Sequence, residues 1–292
     1  MSIYYEDDVG SDGARERGPR HSRRATDSVT ESRRTRRPPG PTATMTDLTD
    51  RTCVITGASR GIGRGIAEEL GAAGANVVVN YRSSEAEAYD VVESIEADGG
   101  SAIAVQADVC DLEQVQAMAD RVHDAFGPAD VLVNNAGITI DRKFENMDRE
   151  EWDRVIDVNL GGVFNATKTF YDDLKEAEHG RLVNISSVVG QQGNYGQANY
   201  AATKSGLFGF TRTIALELAR YDTTANCVAP GFTQTDMLAE VSEEVQDKIR
   251  SRIPLNRFAD VDDISGIVRF IASEESGYMT GQILGVNGGM EW

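Results

Sequence analysis

Residues 52–63 read Thr52-Cys-Val-Ile-Thr-Gly-Ala-Ser-Arg-Gly-Ile-Gly63, an apolar run passing into three glycines and then into a helical pattern. Thr52–Thr56 predicts a strand buried on both faces, because it is short and apolar without alternation. Gly57, Gly61 and Gly63 allow a tight turn and let the backbone come close to a ligand. Beyond them Ile62, Ile66, Ala67 and Leu70 recur at helical spacing and predict a helix over Ile62–Ala73. The free N–H groups and partial positive charge of that helix start suit a pyrophosphate. A glycine turn can also serve packing alone, but the strand before it and the helix after it favour dinucleotide binding.

Working outward, the same alternation repeats. Short apolar runs at Asn76–Asn80, Ala102–Gln106, Val131–Asn134, Arg181–Ser186, Ala225–Ala229 and Gln282–Val286 predict further buried strands. Helical patterns lie between them at Glu85–Ala97, Leu112–Phe126, Trp152–Leu174 and Ala198–Ala219. This order implies an α/β fold: a single doubly wound, Rossmann-type parallel sheet of about seven strands with helices on both faces. The polar excursion Gly231–Ile253 has no strand of its own and sits where a lid over the sheet's carboxyl edge belongs.

Composition removes whole classes of function. The chain of 292 residues carries a formal net charge of −18, which argues against a nucleic-acid surface. No apolar run approaches the roughly 18 residues of a membrane span. Cys53, Cys110 and Cys227 are far apart, and His21, His123 and His179 form no HExxH, so neither a disulfide scaffold nor a metal site is expected.

Charge is uneven along the chain. Residues 1–44 hold nine Arg against seven acids and almost no large apolar side chain. Such a stretch cannot offset its ordering entropy, so it reads as a disordered N-terminal extension ahead of a Rossmann-type domain at 45–292, with Met45 as an alternative start. Arg23-Arg24 and Arg36-Arg37 have no apolar segment after them, so no export signal is read and a cytoplasmic location is expected. Lys occurs five times against 24 Arg, and residues 45–292 carry 40 acids. Many carboxylates with few Lys suit concentrated salt, which screens self-repulsion, so a halophilic source is expected.

The glycine spacing is TGxxxGxG, and other landmarks follow in order: Asp108-Val109, Asn134-Asn-Ala-Gly137, Asn159, Ser187, Tyr200-Ala-Ala-Thr-Lys204 and Pro230-Gly231. With these, residues 49–292 resemble the short-chain dehydrogenase/reductase family. The resemblance implies a nicotinamide cofactor lying along Gly57, Ser59, Arg60, Gly61, Ile62 and Gly63. Asp108 would accept from the adenine amino group, and Val109 would lend its backbone. Asn135, Ala136 and Gly137 would lie beside the cofactor, with Asn135 as a tie between strands. Pro230 and Gly231 would wall the nicotinamide, with Thr233 and Thr235 near the phosphates. Where NAD-preferring members carry an acid, this chain has Tyr81 followed by Arg82. Arg82 and Arg60 together suit a 2′-phosphate, so NADP(H) is expected.

Tyr200 and Lys204 are i and i+4 on one helix face. A free phenol has a pKa of about 10, and an adjacent ammonium is expected to lower it. Tyr200 is then the proton donor to a ketone oxygen and Ser187 a hydrogen-bond partner for the same oxygen. The resemblance implies that Lys204 also bonds the nicotinamide ribose, and that Asn159 holds a water leading from Lys204 to solvent. Within the family the chain is most similar to 3-oxoacyl-thioester reductases. Gly190-Gln-Gln-Gly-Asn-Tyr-Gly-Gln197 and Ala272-Ser-Glu-Glu-Ser-Gly277 lean toward acetoacetyl-CoA reductases of polyhydroxyalkanoate synthesis. The alternatives are 3-oxoacyl-(acyl-carrier-protein) reductases, another small-carbonyl reductase, and a non-catalytic dinucleotide sensor. Asn194, Tyr195 and Gln197 would flank an acyl thioester, Phe232 would close over it, and Arg142, Lys143 and Arg257 would offset the acidic surface. The resemblance also implies a homotetramer formed through the long helices and the last strand.

Overall fold

The computed structural model describes residues 47–234 and 242–291, which all belong to one compact unit. The expected extension 1–44, Thr235 and part of the expected lid lie outside these residues. Seven strands form one parallel sheet in the order β3-β2-β1-β4-β5-β6-β7. They are β1 (Thr52–Ile55), β2 (Asn76–Tyr81), β3 (Ser101–Gln106), β4 (Val131–Asn134), β5 (Arg181–Ile185), β6 (Thr224–Pro230) and β7 (Ile283–Val286). The strand order reverses between β1 and β4, and ligands of such sheets bind at that switch point, outside the carboxyl ends of the strands.

Alternate residues of each strand face opposite layers. Cys53, Ile55, Val77, Val79, Val131 and Val133 pack with α1 (Gly61–Ala72), α2 (Glu85–Ala97) and the later helix Val261–Ala272. Val54, Val78, Leu132 and Leu182 face the other way, toward α3 (Leu112–Phe126), Ala166, Phe170 and Ala215. Both faces are therefore apolar, which is why the strands lack alternation. Each fully buried Val or Leu contributes about 1.5–3 kcal/mol relative to exposure.

One expected helix is interrupted. Trp152–Leu174 predicts a single element, whereas the structure has α4 (Arg149–Ile156), a π-helical segment at Asp157–Gly161, α5 (Gly162–Thr169) and α6 (Tyr171–Glu176). The start moves upstream because Asp148 and Glu151 form a capping box, with Glu151 N donating to Asp148 Oδ1 at 2.8 Å. Periodicity does not register the extra residue of a π turn, and such turns favour functional sites. A short helix, α7 (Val188–Gln192), follows β5, and α8 (Ala198–Leu218) matches the expected long helix. Two more helices, α9 (Glu243–Arg250) and α10 (Val261–Ala272), complete the described chain.

Candidate active site

After Ile55 the chain turns at Gly57, with φ of +63°, and at Gly61, with φ of +56°, a backbone region that glycine enters without strain. A Cβ on Gly57 would also lie 2.9 Å from the Ala136 Cα. Three side chains fasten this turn. Thr56 Oγ1 accepts from the backbone N–H groups of Asn135 and Ala136, both at 3.0 Å. Asn135 Nδ2 donates to the carbonyls of Thr56 and Gly57 at 3.0 and 2.9 Å, so Asn135 is a tie between the β1 and β4 loops. Buried Asn80 accepts from Gly57 N at 3.1 Å and donates to the carbonyls of Val105 and Ala107. A Cβ on Gly63 would strike Asn135 Nδ2 at 2.4 Å, so the third glycine serves packing.

The first turn of α1 contains no acid, and no side chain caps it. Its N–H groups therefore face outward beside Arg60 and the buried Ser59. At the end of β2, Tyr81 is buried, with its hydroxyl toward Glu85, while Arg82 is exposed. Among the described residues neither the Arg60 nor the Arg82 guanidinium has an acidic partner within ion-pair distance. Uncapped donors beside uncommitted guanidinium groups fit an anionic dinucleotide. Further along the same edge, Asp108 is pinned by Cys110 N at 2.9 Å and by its own N–H to Gln114 at 3.0 Å. Val109 is buried against Gly162, and its carbonyl accepts from Asn165.

The side chains expected to react gather beyond β4 and β5. The π segment carries Asn159, which is 1% exposed, against the β4 loop. Asn159 Oδ1 accepts from Ile138 N at 2.9 Å, and its Nδ2 donates to the Ile138 carbonyl at 3.0 Å and to Thr203 Oγ1 at 3.1 Å. A Cβ on Gly137 would come within 3.3 Å of Asn159 Oδ1 and 3.4 Å of Lys204 Nζ, so the glycine leaves this corner open. Lys204 Nζ donates to the Ile185 carbonyl at 2.8 Å and lies 5.5 Å from the centre of the Tyr200 ring. Ser187 caps α7 by accepting from Val189 N at 3.1 Å, and its hydroxyl faces the Tyr200 phenol. Gly190 permits α7 to lie on α8, since a Cβ there would be 2.7 Å from the Lys204 carbonyl carbon.

The electrostatics differ from the sequence-based expectation. Burial pushes the Tyr200 phenol up, the Ser187 hydrogen bond opposes this, and the Asp141 carboxylate adds to the rise. Burial also pushes Lys204 down, to about 8. Lys204 Nζ is engaged by the Ile185 carbonyl, and burial of the phenol outweighs the nearby ammonium, so the phenol stays above its ordinary value. Tyr200 consequently holds its proton at neutral pH.

The mouth is tied more tightly than its sequence suggests. Gln197 is buried, and its Nε2 donates to Asp141 Oδ1 at 2.8 Å and to Thr139 Oγ1 at 3.3 Å. Asn194 Nδ2 donates to Gln197 Oε1 at 2.9 Å, whereas Tyr195 is 79% exposed with Lys143 Nζ 5.7 Å from its ring centre. Two of the three cations expected to offset the acidic surface are already neutralised. Arg142 forms a bidentate pair with Glu151 and Arg257 pairs with Asp263, which leaves Lys143.

On the far side of the mouth, Pro230 ends β6, Gly231 packs against Asn287, and Thr233 is buried. Phe232 lines a cavity of about 120 Å³ with Ile253, Leu255 and Arg257. Ser187, Tyr200 and Lys204 do not line that cavity, so it is separate from the reacting groups. Sequence reasoning missed Asn80, Thr56, Asn199 and Asp141. Asn80 and Thr56 carried a signal, as polar residues ending otherwise apolar strands. Among the described residues there is no cluster of three or more potential metal ligands, and no helix is long and apolar enough to cross a membrane.

The doubly wound sheet with its switch-point glycine turn is that of a nicotinamide-dependent oxidoreductase, and the chain belongs to the short-chain dehydrogenase/reductase family. Residues 57–291 match the family described as enoyl-(acyl carrier protein) reductase. The chain is 48% identical over 240 residues to the 3-oxoacyl-[acyl-carrier-protein] reductase FabG of Staphylococcus aureus strain Mu50, covering 82% of this chain and 98% of that one. It is 47% identical over 247 residues to the 3-oxoacyl-[acyl-carrier-protein] reductase of a Synechocystis species, covering 84% and 99%. Among solved structures, a putative short-chain alcohol dehydrogenase from Sinorhizobium meliloti 1021 superposes with a TM-score of 0.81 at 34% identity, covering 85% of this chain and 98% of that one.

Proposed function

We propose that this chain reduces a 3-oxoacyl thioester to the 3-hydroxyacyl thioester with NADPH. The observation that carries the reading is geometric: Tyr200 and Lys204 share one face of α8, with Lys204 Nζ 5.5 Å from the Tyr200 ring centre, in the mouth that Ser187 enters at the start of α7. A reductase needs an acid that arrives protonated, and this phenol does. A nicotinamide bound along the glycine turn would supply hydride to the carbonyl carbon. Tyr200 gives its hydroxyl proton to the carbonyl oxygen, and Ser187 donates a hydrogen bond to that oxygen as its charge grows. Lys204, 5.5 Å from the ring centre, stabilises the phenolate left behind, which regains a proton from solvent. Asn159 fixes the Ile138 backbone from both sides, and that keeps the open corner at Gly137 in place. The uncommitted Arg60 and Arg82 support a phosphorylated adenosine ribose and hence NADPH.

The names of the relatives favour a carrier-protein thioester over acetoacetyl-CoA, reversing the order in which the loop residues rank them. Acetoacetyl-CoA stays as the second reading on the sequence Gly190–Gln197. The test follows NADPH oxidation with acetoacetyl-carrier protein, acetoacetyl-CoA and a panel of sugars at equal concentration. A kcat/KM for either thioester at least a hundredfold above that for every sugar is expected. Equal or greater activity on a sugar would sink the thioester reading.

A further inference from the structure

The mouth contains one carboxylate to which the mechanism above gives no role. Asp141 lies in the stretch after β4, and its Oδ1 accepts from Gln197 Nε2 at 2.8 Å and from the Thr139 hydroxyl. The same stretch is joined to the start of α8 by two further contacts. Arg142 N donates to the Gly196 carbonyl at 2.7 Å, and Asn199 Nδ2 donates to the Ile140 carbonyl at 3.1 Å. Asn199 immediately precedes Tyr200, and its Oδ1 accepts from Tyr200 N at 2.8 Å. Asp141 thus sits at the centre of a strap that binds the β4 loop to the residues leading into the catalytic helix.

We propose that Asp141 is a positioning residue for the reduction, its carboxylate clamping segment Thr139–Arg142 to loop Asn194–Gln197, which leads directly into Tyr200, and lending its charge to the same mouth. The inference rests on the reading of Tyr200 as the proton donor. The charge has a direction of effect. A carboxylate facing a phenol disfavours phenolate, which is the sense in which Asp141 acts on Tyr200. The other groups facing the phenol are Ser187, which is uncharged, and Lys204 from the same helix, whose Nζ is bonded to the Ile185 carbonyl. Neighbouring Arg142 does not cancel Asp141, because its guanidinium is held by Glu151. Lys143 lies over the exposed Tyr195 ring. Asp141 therefore helps Tyr200 keep the proton that reduction requires. During the step the Tyr200 O–H bond breaks and the alcohol O–H bond forms, while Asp141 exchanges nothing.

The clamp and the charge separate experimentally. Asp141→Asn keeps an oxygen for Gln197 and removes the charge. Its reductase activity is expected to lose its alkaline limb about one pH unit earlier than wild type. The acidic limb of alcohol oxidation, which needs the phenolate, is expected to move down by the same amount, a paired shift that a packing defect does not produce. Gln197→Leu keeps the charge and loosens the clamp, so kcat is expected to fall about tenfold with both limbs unmoved. Thr139→Val keeps the charge and removes one of its donors, so its limbs stay at or above wild type. Unmoved limbs in a folded Asp141→Asn would overturn the proposal. So would limbs displaced downward in Thr139→Val, which decides the matter even where Asp141→Asn does not fold. Tyr200→Phe run alongside keeps the two ideas apart: activity surviving there removes Tyr200 as donor, whereas an inactive Tyr200→Phe with an unshifted Asp141→Asn removes only Asp141.

Discussion

At the glycine turn, Thr56, Asn80 and Asn135 direct their hydrogen bonds to backbone groups, and the surface left for a ligand is backbone N–H. At the mouth between β4, β5 and α8 the roles are exchanged. There, Asn159, Asn199 and Gln197 fix the loops so that the side chains of Ser187, Tyr200 and Lys204 form the surface proposed to react. On the proposed reading, one end of the site presents main chain to its ligand and the other presents side chains, and in both the supporting ties are made by buried polar side chains. Mutations in the two regions should therefore fail differently, the first in cofactor affinity and the second in turnover.

The largest contrast is expected from Ser187→Ala. Loss of a donor to the developing oxyanion costs about 10²–10³ in kcat. Cofactor affinity, measured by fluorescence titration, is expected to stay within twofold. Gly57→Ala is the converse. Its φ of +63° and the 2.9 Å approach to Ala136 Cα force the turn to shift, and strain of this kind costs on the order of 1–3 kcal/mol. Cofactor Kd is expected to rise about tenfold or more, while kcat at saturating cofactor changes little. A fall in kcat with unchanged Kd would place the turn in the reacting half instead.

Lys204 gives a pH signature. Its pKa in the folded protein is about 8 against an ordinary value of 10.5, so between these values the unfolded chain binds the extra proton. Stability therefore rises with pH from about 8 upward, until unfolded tyrosines begin to ionise near pH 10. Denaturant titrations of wild type are expected to show this rise, and those of Lys204→Met to lack it. The adenosine end is read through cofactor preference. Arg82→Ala, and more so Arg60→Ala with Arg82→Ala, is expected to lower the preference for NADPH over NADH about tenfold per guanidinium. An unchanged preference would remove both arginines from the 2′-phosphate.

Much of this was legible because buried parallel strands and amphipathic helices write their spacing directly. Glu85–Ala97, Leu112–Phe126 and Val131–Asn134 appear with the expected bounds. The interrupted helix did not show itself, since a π turn at Asp157–Gly161 changes a backbone hydrogen bond and leaves the apolar pattern nearly as it was. At the site, residue type alone singles out Ser187, Tyr200 and Lys204 as candidates, and the structure brings them to one mouth. Residues that act by holding others are not singled out this way. Asp141 and Asn199 look like loop polarity until the contacts with Gln197 and Ile140 are seen. Electrostatics were least legible. Proximity of an ammonium predicts a lowered phenol, but burial, with the Asp141 carboxylate adding to it, reverses the direction, and burial is a consequence of packing.

The decisive experiment is single-turnover reduction of acetoacetyl-CoA and acetoacetyl-carrier protein by wild type and Tyr200→Phe, with NADPH binding measured on the same samples. The expected result is unchanged NADPH affinity and a chemical step slowed by at least a hundredfold, the lower range for removal of a positioned general acid. A Tyr200→Phe enzyme that binds NADPH normally and reduces either thioester within a few-fold of the wild-type rate would contradict the assignment of Tyr200 as the proton donor.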